Sequence, residues 1–356
     1  MTTDRQWSRA GANERWPAEL AADWASGRPW LVGCNFIPST AANQLEMWQA
    51  ETFDAMTIER ELGWAAELGF NALRVFLHDL VWTADGTAFI SRIQRFLDIS
   101  ERHSLRTMFV FFDDCWDPNP RPGLQGEPVP GVHNSRWAQS PGAATIAAPA
   151  SWDRLSDYVT AVVGAFREDE RVLAWDVYNE PGNTGYGERS LPLLEAAFRW
   201  ARAAQPIRPL TSGPWTDAAV TDGWAMPSAI TDVQLRSSDV ISFHSYAAPD
   251  VTERMIVALE AEHESRPILC TEYLGRPLGS RFEDLLPVFK RRNVGCFNWG
   301  LVSGKTQTSL PWVSSPHDSE DVWFSDVLRP DGMPFDAAEI EVIRAHAGAR
   351  PKRDMA

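Results

Sequence analysis

Two glutamates are set apart by where they fall: Glu180 follows the apolar run "VLAWDVY" inside "YNEP", and Glu272 closes "PILC" inside "CTEY". Glutamate is mostly a surface residue, so either one alone reads as a solvated side chain. Two carboxylates ending apolar runs are equipment for acid/base chemistry. One can protonate a leaving oxygen while the other attacks the carbon left behind or activates water. The ends of the other apolar runs carry Asn35, Arg74 with His78, Asp113 with Asp114, Asn179, His244 with Tyr246, and Trp299. A solvated strand end would carry mixed Lys, Ser and Thr instead. Arg74, always charged, and the Tyr246 hydroxyl can hold one glutamate as its anion. Two carboxyls side by side do not both ionise cheaply, so the other keeps its proton.

These residues need a scaffold that brings strand ends together. Eight strand-like runs occur, at 29–36, 71–77, 106–112, 172–179, 208–213, 240–246, 267–273 and 294–300, with helical periodicity between them. In "TIERELGWAAELGF", Leu62, Ala65, Ala66 and Gly69 share a face, as do Leu155, Tyr158, Val159 and Val162 in "SWDRLSDYVTAVVGAFRED". Ser151 or Asp153 is expected to cap the second helix. The alternation predicts an α/β fold, a single-domain (β/α)₈ barrel spanning about 28–348. An N-terminal extension and the tail "AGARPKRDMA" lie outside it. An open doubly wound sheet fits less well, because "GCNFIPST" after the first run lacks a G-x-G-x-x-G loop. In a barrel the strand ends converge at one mouth, where Pro181 is expected to hold Glu180 in extended backbone. Two connections exceed a plain turn, Ile37 to about Thr57 and Asp113 to about Ala150, and loops of that length are usually functional or disordered.

Five motifs in order, "LRVF" (Arg74), "YNEP" (Asn179, Glu180, Pro181), "SFHSY" (His244, Tyr246), "CTEY" (Glu272) and "FNWG" (Trp299), resemble glycoside hydrolase family 5 over nearly the whole chain. The resemblance implies a retaining β-glycoside hydrolase of cellulase or 1,4-β-xylanase type, without cofactor or metal. It makes Glu180 the acid/base, Glu272 the nucleophile, Asn179 a donor to the sugar 2-hydroxyl and Trp299 the floor beneath the attacked sugar. The chain departs from the pattern at the third strand, where "FFDDCWDP" places Asp113, Asp114 and Trp116 in place of a His or Asn. Loop residues Trp48, His133, Trp137, Lys305 and Gln307 are further candidate substrate contacts, as are Asn35 and His78. The long loops also suggest a cleft closed at one end and exo action.

Two other readings remain open. A metal-dependent hydrolase would use His78, Asp79, Asp113, Asp114 and His244, although the first strand offers only Cys34 and Asn35 where such enzymes often carry His-x-His. A non-catalytic sugar-binding barrel would retain only the aromatic cleft. Composition narrows the partners: 48 acidic against 33 basic residues give a net charge of −15, which repels nucleic acid. Seventeen Trp against five Tyr suit sugar stacking, with about two thirds of the Trp expected in the core by their tendency to burial. The four scattered cysteines, with no C-x-x-C, read as reduced thiols. With neither a signal-like N-terminus nor a membrane-length apolar run, this leads to a cytoplasmic expectation with no membrane partner.

Overall fold

The computed structural model describes residues 14–215, 228–263, 265–312 and 322–348. Eight parallel strands form one sheet, β1 (Val32–Asn35), β2 (Ala72–Phe76), β3 (Arg106–Asp113), β4 (Val172–Asn179), β5 (Leu210–Thr211), β6 (Ile241–His244), β7 (Ile268–Tyr273) and β8 (Gly295–Trp299). Their order is β5-β4-β3-β2-β1-β8-β7-β6. The remaining seam is bridged where Asp239 N–H donates to Leu210 O at 2.8 Å and the Thr211 hydroxyl to Val240 O at 2.9 Å. The result is a single-domain (β/α)₈ barrel.

The helices are α1 (Ala18–Ser26), α2 (Gln44–Trp48), α3 (Ala55–Glu67), α4 (Asp79–Arg102), α5 (Ala143–Ile146), α6 (Asp153–Ala165), α7 (Leu191–Ala203), α8 (Ala229–Ser237), α9 (Pro249–Glu262), α10 (Phe282–Arg291) and α11 (Ala337–Ala347). Leu62 and Ala65 on α3 are buried, and so are Leu155, Tyr158, Val159 and Val162 on α6. The expected side-chain cap of α6 is absent: Trp152 holds that position, and the Ser151 hydroxyl donates to Ala148 O of the preceding 3₁₀ turn. None of the described helices is long and apolar enough to cross a membrane. Of the tail, 349–356 lies outside the described residues.

Strand alternation layers the lumen. On β2, Ala72 joins the apolar floor, Arg74 the polar middle and Phe76 an aromatic cluster at the mouth. The floor is sealed from below by the segment before β1, whose Trp16, Ala21 and Trp24 pack with Leu31, Met108, Leu173, Val240, Leu269 and Phe297. Near the mouth the alternation breaks on β3 and β4. Phe111 and Phe112, like Val177 and Tyr178, all pack in the large core cluster. The paired ends Asp113 and Asn179 are thereby turned to the mouth together.

Candidate active site

Arg74, fully buried, organises the middle of the barrel. Its Nε and Nη2 donate to Asp176 Oδ2 at 3.1 and 2.8 Å, Nη1 to Asn35 Oδ1 at 2.9 Å and Glu272 Oε1 at 2.7 Å, and Nη2 also to Asn179 Oδ1 at 2.7 Å. Asn35 is fixed in turn by donation to Thr271 O at 2.8 Å. The other oxygen of Glu272 accepts from the Tyr246 hydroxyl at 2.9 Å. Burial pushes the Glu272 carboxyl above the ordinary glutamate range, opposed by His244 and Arg74 and reinforced by Glu180.

Glu180 stands just past β4. Its Oε1 lies 2.8 Å from His244 Nδ1, and its Oε2 accepts from Asn183 Nδ2 at 2.6 Å and from the Cys115 thiol at 3.1 Å. Burial depresses His244 to about 4, so its ring is neutral at physiological pH. A neutral imidazole can donate from Nδ1 to an ionised Glu180 or accept from a protonated one. The same nitrogen lies 3.5 Å from Glu272 Oε2. Ligand atoms of Glu180, His244 and Glu272 fall within 4.8 Å of one another, so the two carboxylates face each other closely.

The backbone at Glu180 is not the extended form expected before a proline. Its φ is +45°, in the left-handed region. The turn is over-determined around it: Asn183 N–H returns to Glu180 O at 3.1 Å, and Gly182 N–H donates to Asp114 Oδ2 at 2.7 Å. Gly182 itself has φ +90°, and a Cβ there would meet Ile230 Cδ1 at 2.9 Å. Positive φ at a non-glycine residue costs on the order of 1–3 kcal/mol, and the surrounding bonds sustain it.

Both glutamates open onto a cavity of about 650 Å³, well within the range of ligand sites, about 300–1,000 Å³. Of the expected contacts, Asn179, His244, Tyr246, Trp299, Trp116, His133 and Trp137 line it with the two glutamates. Arg74 and Asn35 lie beneath and act through Glu272 and Asn179. The other expected contacts do not reach the cavity. Trp48 is fully buried against Phe53, Phe89 and Phe96, with Nε1 donating to Phe76 O at 2.7 Å. His78 caps α4, its Nδ1 accepting from Leu80 N–H at 3.1 Å. Asp114 accepts from Tyr178, Ser190 and Gly182, and burial raises its carboxyl to about 7. Lys305 pairs with Glu46 at 2.7 Å, while Gln307 donates to Val129 O and Val132 O.

Several cavity residues give little sign of themselves in the sequence. Cys115 offers no signal beyond its adjacency to the "DD" pair, yet its thiol, pushed well above the ordinary cysteine value by burial and nearby carboxylates, is a proton donor to Glu180. Asn183 sits three residues after Glu180, a spacing that a tight turn makes a neighbour. Trp215 and Trp312 complete the aromatic wall, Trp312 packing edge-on against Tyr246 at 5.4 Å between ring centres. Five of the fifteen described Trp thus face the cavity, and Trp7 and Trp224 lie outside the described residues.

Two carboxylates of the metal-dependent alternative are held by other side chains. Asp79 pairs with Arg154 at 2.5 Å, and Asp113 accepts from Trp137 Nε1 at 2.7 Å and Asn179 Nδ2 at 3.0 Å. In the Glu180, His244 and Glu272 group, Arg74 and Tyr246 already donate to the two oxygens of Glu272.

No protein-family model and no curated protein matches the sequence. Solved structures do resemble the chain. One is GH5_18 from Streptomyces cattleya in complex with GlcNAc, at 17% identity and TM-score 0.60, the match covering 91% of this chain and 82% of that one. An exo-β-1,4-mannosidase from Opitutaceae bacterium strain TAV5 matches at 18% and 0.60, over 96% of this chain and 62% of its own. An endo-1,4-β-mannanase from Eisenia fetida matches at 15% and 0.56, over 91% and 92%. At such identities the likeness establishes a shared barrel architecture, and the chemistry rests on the site itself.

Proposed function

We propose that the protein is a retaining β-glycoside hydrolase acting on neutral β-linked oligosaccharides or glycosides. The observation that carries this reading is the facing pair, Glu272 clamped by Arg74 and Tyr246 and Glu180 held by neutral His244 and Asn183, with one ligand atom of each carboxylate within 4.8 Å. Retaining enzymes place their carboxyl groups about 5–5.5 Å apart, whereas inverting ones leave about 6.5–9.5 Å for a water.

In this mechanism Glu272 attacks the anomeric carbon while Glu180 protonates the departing oxygen. A glycosyl ester on Glu272 Oε2 or Oε1 results, and the leaving group departs with the proton. Loss of the Glu272 charge then lets Glu180 accept a proton from water, which attacks the same carbon and restores both carboxyls. His244 Nδ1, 2.8 Å from Glu180 Oε1, holds the acid in position for both steps. Asn179 Nδ2 faces Cys115 Sγ at only 3.6 Å, a weak contact that a sugar 2-hydroxyl would replace with a stronger one. Trp299 floors the site.

For the sugar, two of the structurally similar proteins are a mannosidase and a mannanase, which is the reason to test β-mannosides beside the glucosides and xylosides suggested by the family resemblance. The test is a panel of aryl β-glycosides with product anomers followed by NMR. The expected first product is the β anomer, and Glu272→Gln should lower kcat by at least about 1,000-fold, as loss of a unit-acting catalytic group does. An α anomer as first product overturns the assignment of Glu272 as nucleophile.

A further inference from the structure

We infer that the site accepts a single sugar on the glycone side, so that the enzyme removes one residue at a time from non-reducing ends. This rests on the glycosidase reading above and adds the direction and reach of the substrate. The acid Glu180 ends β4, so the leaving group departs over that side. The rest of a glycone chain would have to extend the opposite way. In the strand order, β8 and β1 stand opposite β4.

That side is filled. Among the described residues, the cavity wall comes from the ends of β4, β6, β7 and β8 and from the segments following β3, β4, β5, β6 and β8, with no residue of β1, β2 or the connections after them. Behind Trp299 and Trp137, toward β1, the remaining void among Phe36, Ile37, Phe76 and Val302 holds only about 10 Å³. A space of about 10–15 Å³ admits one water, far less than a pyranose. Trp137 makes this wall rigid, packing edge-on against Phe76 at 5.2 Å and Trp299 at 5.6 Å while Nε1 is bonded to Asp113.

The wall belongs to a strap. The connection after β3 crosses over β2 and β1 and is fastened to the connection after β8. Asn134 N–H donates to Thr306 O at 2.8 Å, Gln307 donates to Val129 O and Val132 O and accepts from Gly131 N–H at 3.0 Å, and His133 Nδ1 donates to Leu310 O at 2.6 Å. The connection after β1 is tied to both, through Asn43 Nδ2 to Arg136 O at 2.7 Å and Lys305 to Glu46. The strap also brings to the cavity Asn134, 2% exposed, whose Oδ1 has no hydrogen bond among the described residues.

The experiment compares nitrophenyl β-monoglycosides with the matching nitrophenyl β-1,4-biosides, using wild-type protein and the sugar preferred in the panel, and follows products from a β-1,4-hexasaccharide. The expected result is immediate nitrophenol from the monoglycoside, a lag before nitrophenol from the bioside, and monosaccharide released at least about 100-fold faster than any disaccharide, equivalent to two tenfold steps in rate. Immediate nitrophenol together with intact disaccharide from the bioside, or mixed-length early products from the hexasaccharide, overturns exo action and leaves the glycosidase reading standing. Absence of turnover on every glycoside overturns both.

Discussion

Arg74 has no solvent contact, and its guanidinium is shared among Asp176, Glu272, Asn35 and Asn179. Replacing it with Met would strand two buried carboxylates without their cation. Breaking such a buried pair from one side costs about 3–5 kcal/mol, so Arg74→Met should lose that much stability in urea denaturation. The same residue sets a pH dependence. Glu272 must be ionised to attack, and its carboxyl is pushed up by burial. Activity is therefore present above the raised value and lost as pH falls through it. The acid limb of kcat/KM should lie above about 4.3, the ordinary glutamate value, and move higher in Arg74→Met as an opposing positive charge disappears. A wild-type limb at or below the ordinary value would contradict this account. Arg74, Asn35, Asn179 and Glu272 were legible because each is a chemically distinctive type at the end of an apolar run, whereas Asp176, inside the run of β4, was not singled out. Cys115 and Asn183 were not, since nothing in their type distinguishes a bond to Glu180 from an ordinary loop contact.

The turn from β4 into α7 depends on a residue from the neighbouring strand. Asp114 accepts from Tyr178 Oη at 2.6 Å on one oxygen, and from Gly182 N–H and the Ser190 hydroxyl on the other. It thus fixes the peptide two residues beyond Glu180. Position at a strand end made Asp114 look like a substrate contact, but strand position alone does not say whether a side chain points into the mouth or back into the turn. The parity break at Phe112 and Tyr178 is of the same kind: packing against helices produces it, and no two-residue period foretells it. Asp114 also makes a testable contribution to stability. Its folded pKa is raised to about 7 by burial, against about 3.9 unfolded, so the native state holds a proton that the unfolded state has released. Its contribution therefore declines as pH rises from about 4 to about 7, by about 1.4 kcal/mol per pH unit inside that window. Asp114→Asn retains an acceptor for Gly182 and Ser190 but does not titrate. Relative to wild type, the variant should gain stability between about pH 4.5 and about pH 7.5 in parallel urea melts, a range that spans most of the titration. A difference that stays flat across that range would show that Asp114 is not titrating there.

The molecule divides its labour between the two ends of the barrel. On β2 the floor residue Ala72 and the mouth residue Phe76 are four positions apart, about 13 Å along the strand, with charged Arg74 between them. Repeated βα units made the barrel readable from alternation alone, because each strand and helix carries its own apolar period. The plug beneath it was less readable, since α1 is short and its Trp24 could equally have been a surface aromatic. In the fold, Trp24 is 2% exposed and Trp16 8%, and both pack on the floor with Met108, Leu269 and Phe297. Truncating a buried Trp to Ala costs about 3–5 kcal/mol through lost transfer energy and the cavity left behind. Trp24→Ala should therefore lower stability by that amount. At temperatures where the variant remains folded, its kcat/KM should stay within about twofold of wild type, because the plug packs on residues of the floor and distant sites act independently. Trp299→Ala is the converse. It removes a cavity surface at the rim, so its loss should appear mainly in turnover, with a smaller shift in the denaturation midpoint. Measuring both variants by urea melts and by kcat/KM separates the two roles. A large fall in kcat/KM for folded Trp24→Ala would mean that floor packing is transmitted through the Arg74 layer to the glutamates, and that the two ends are coupled after all.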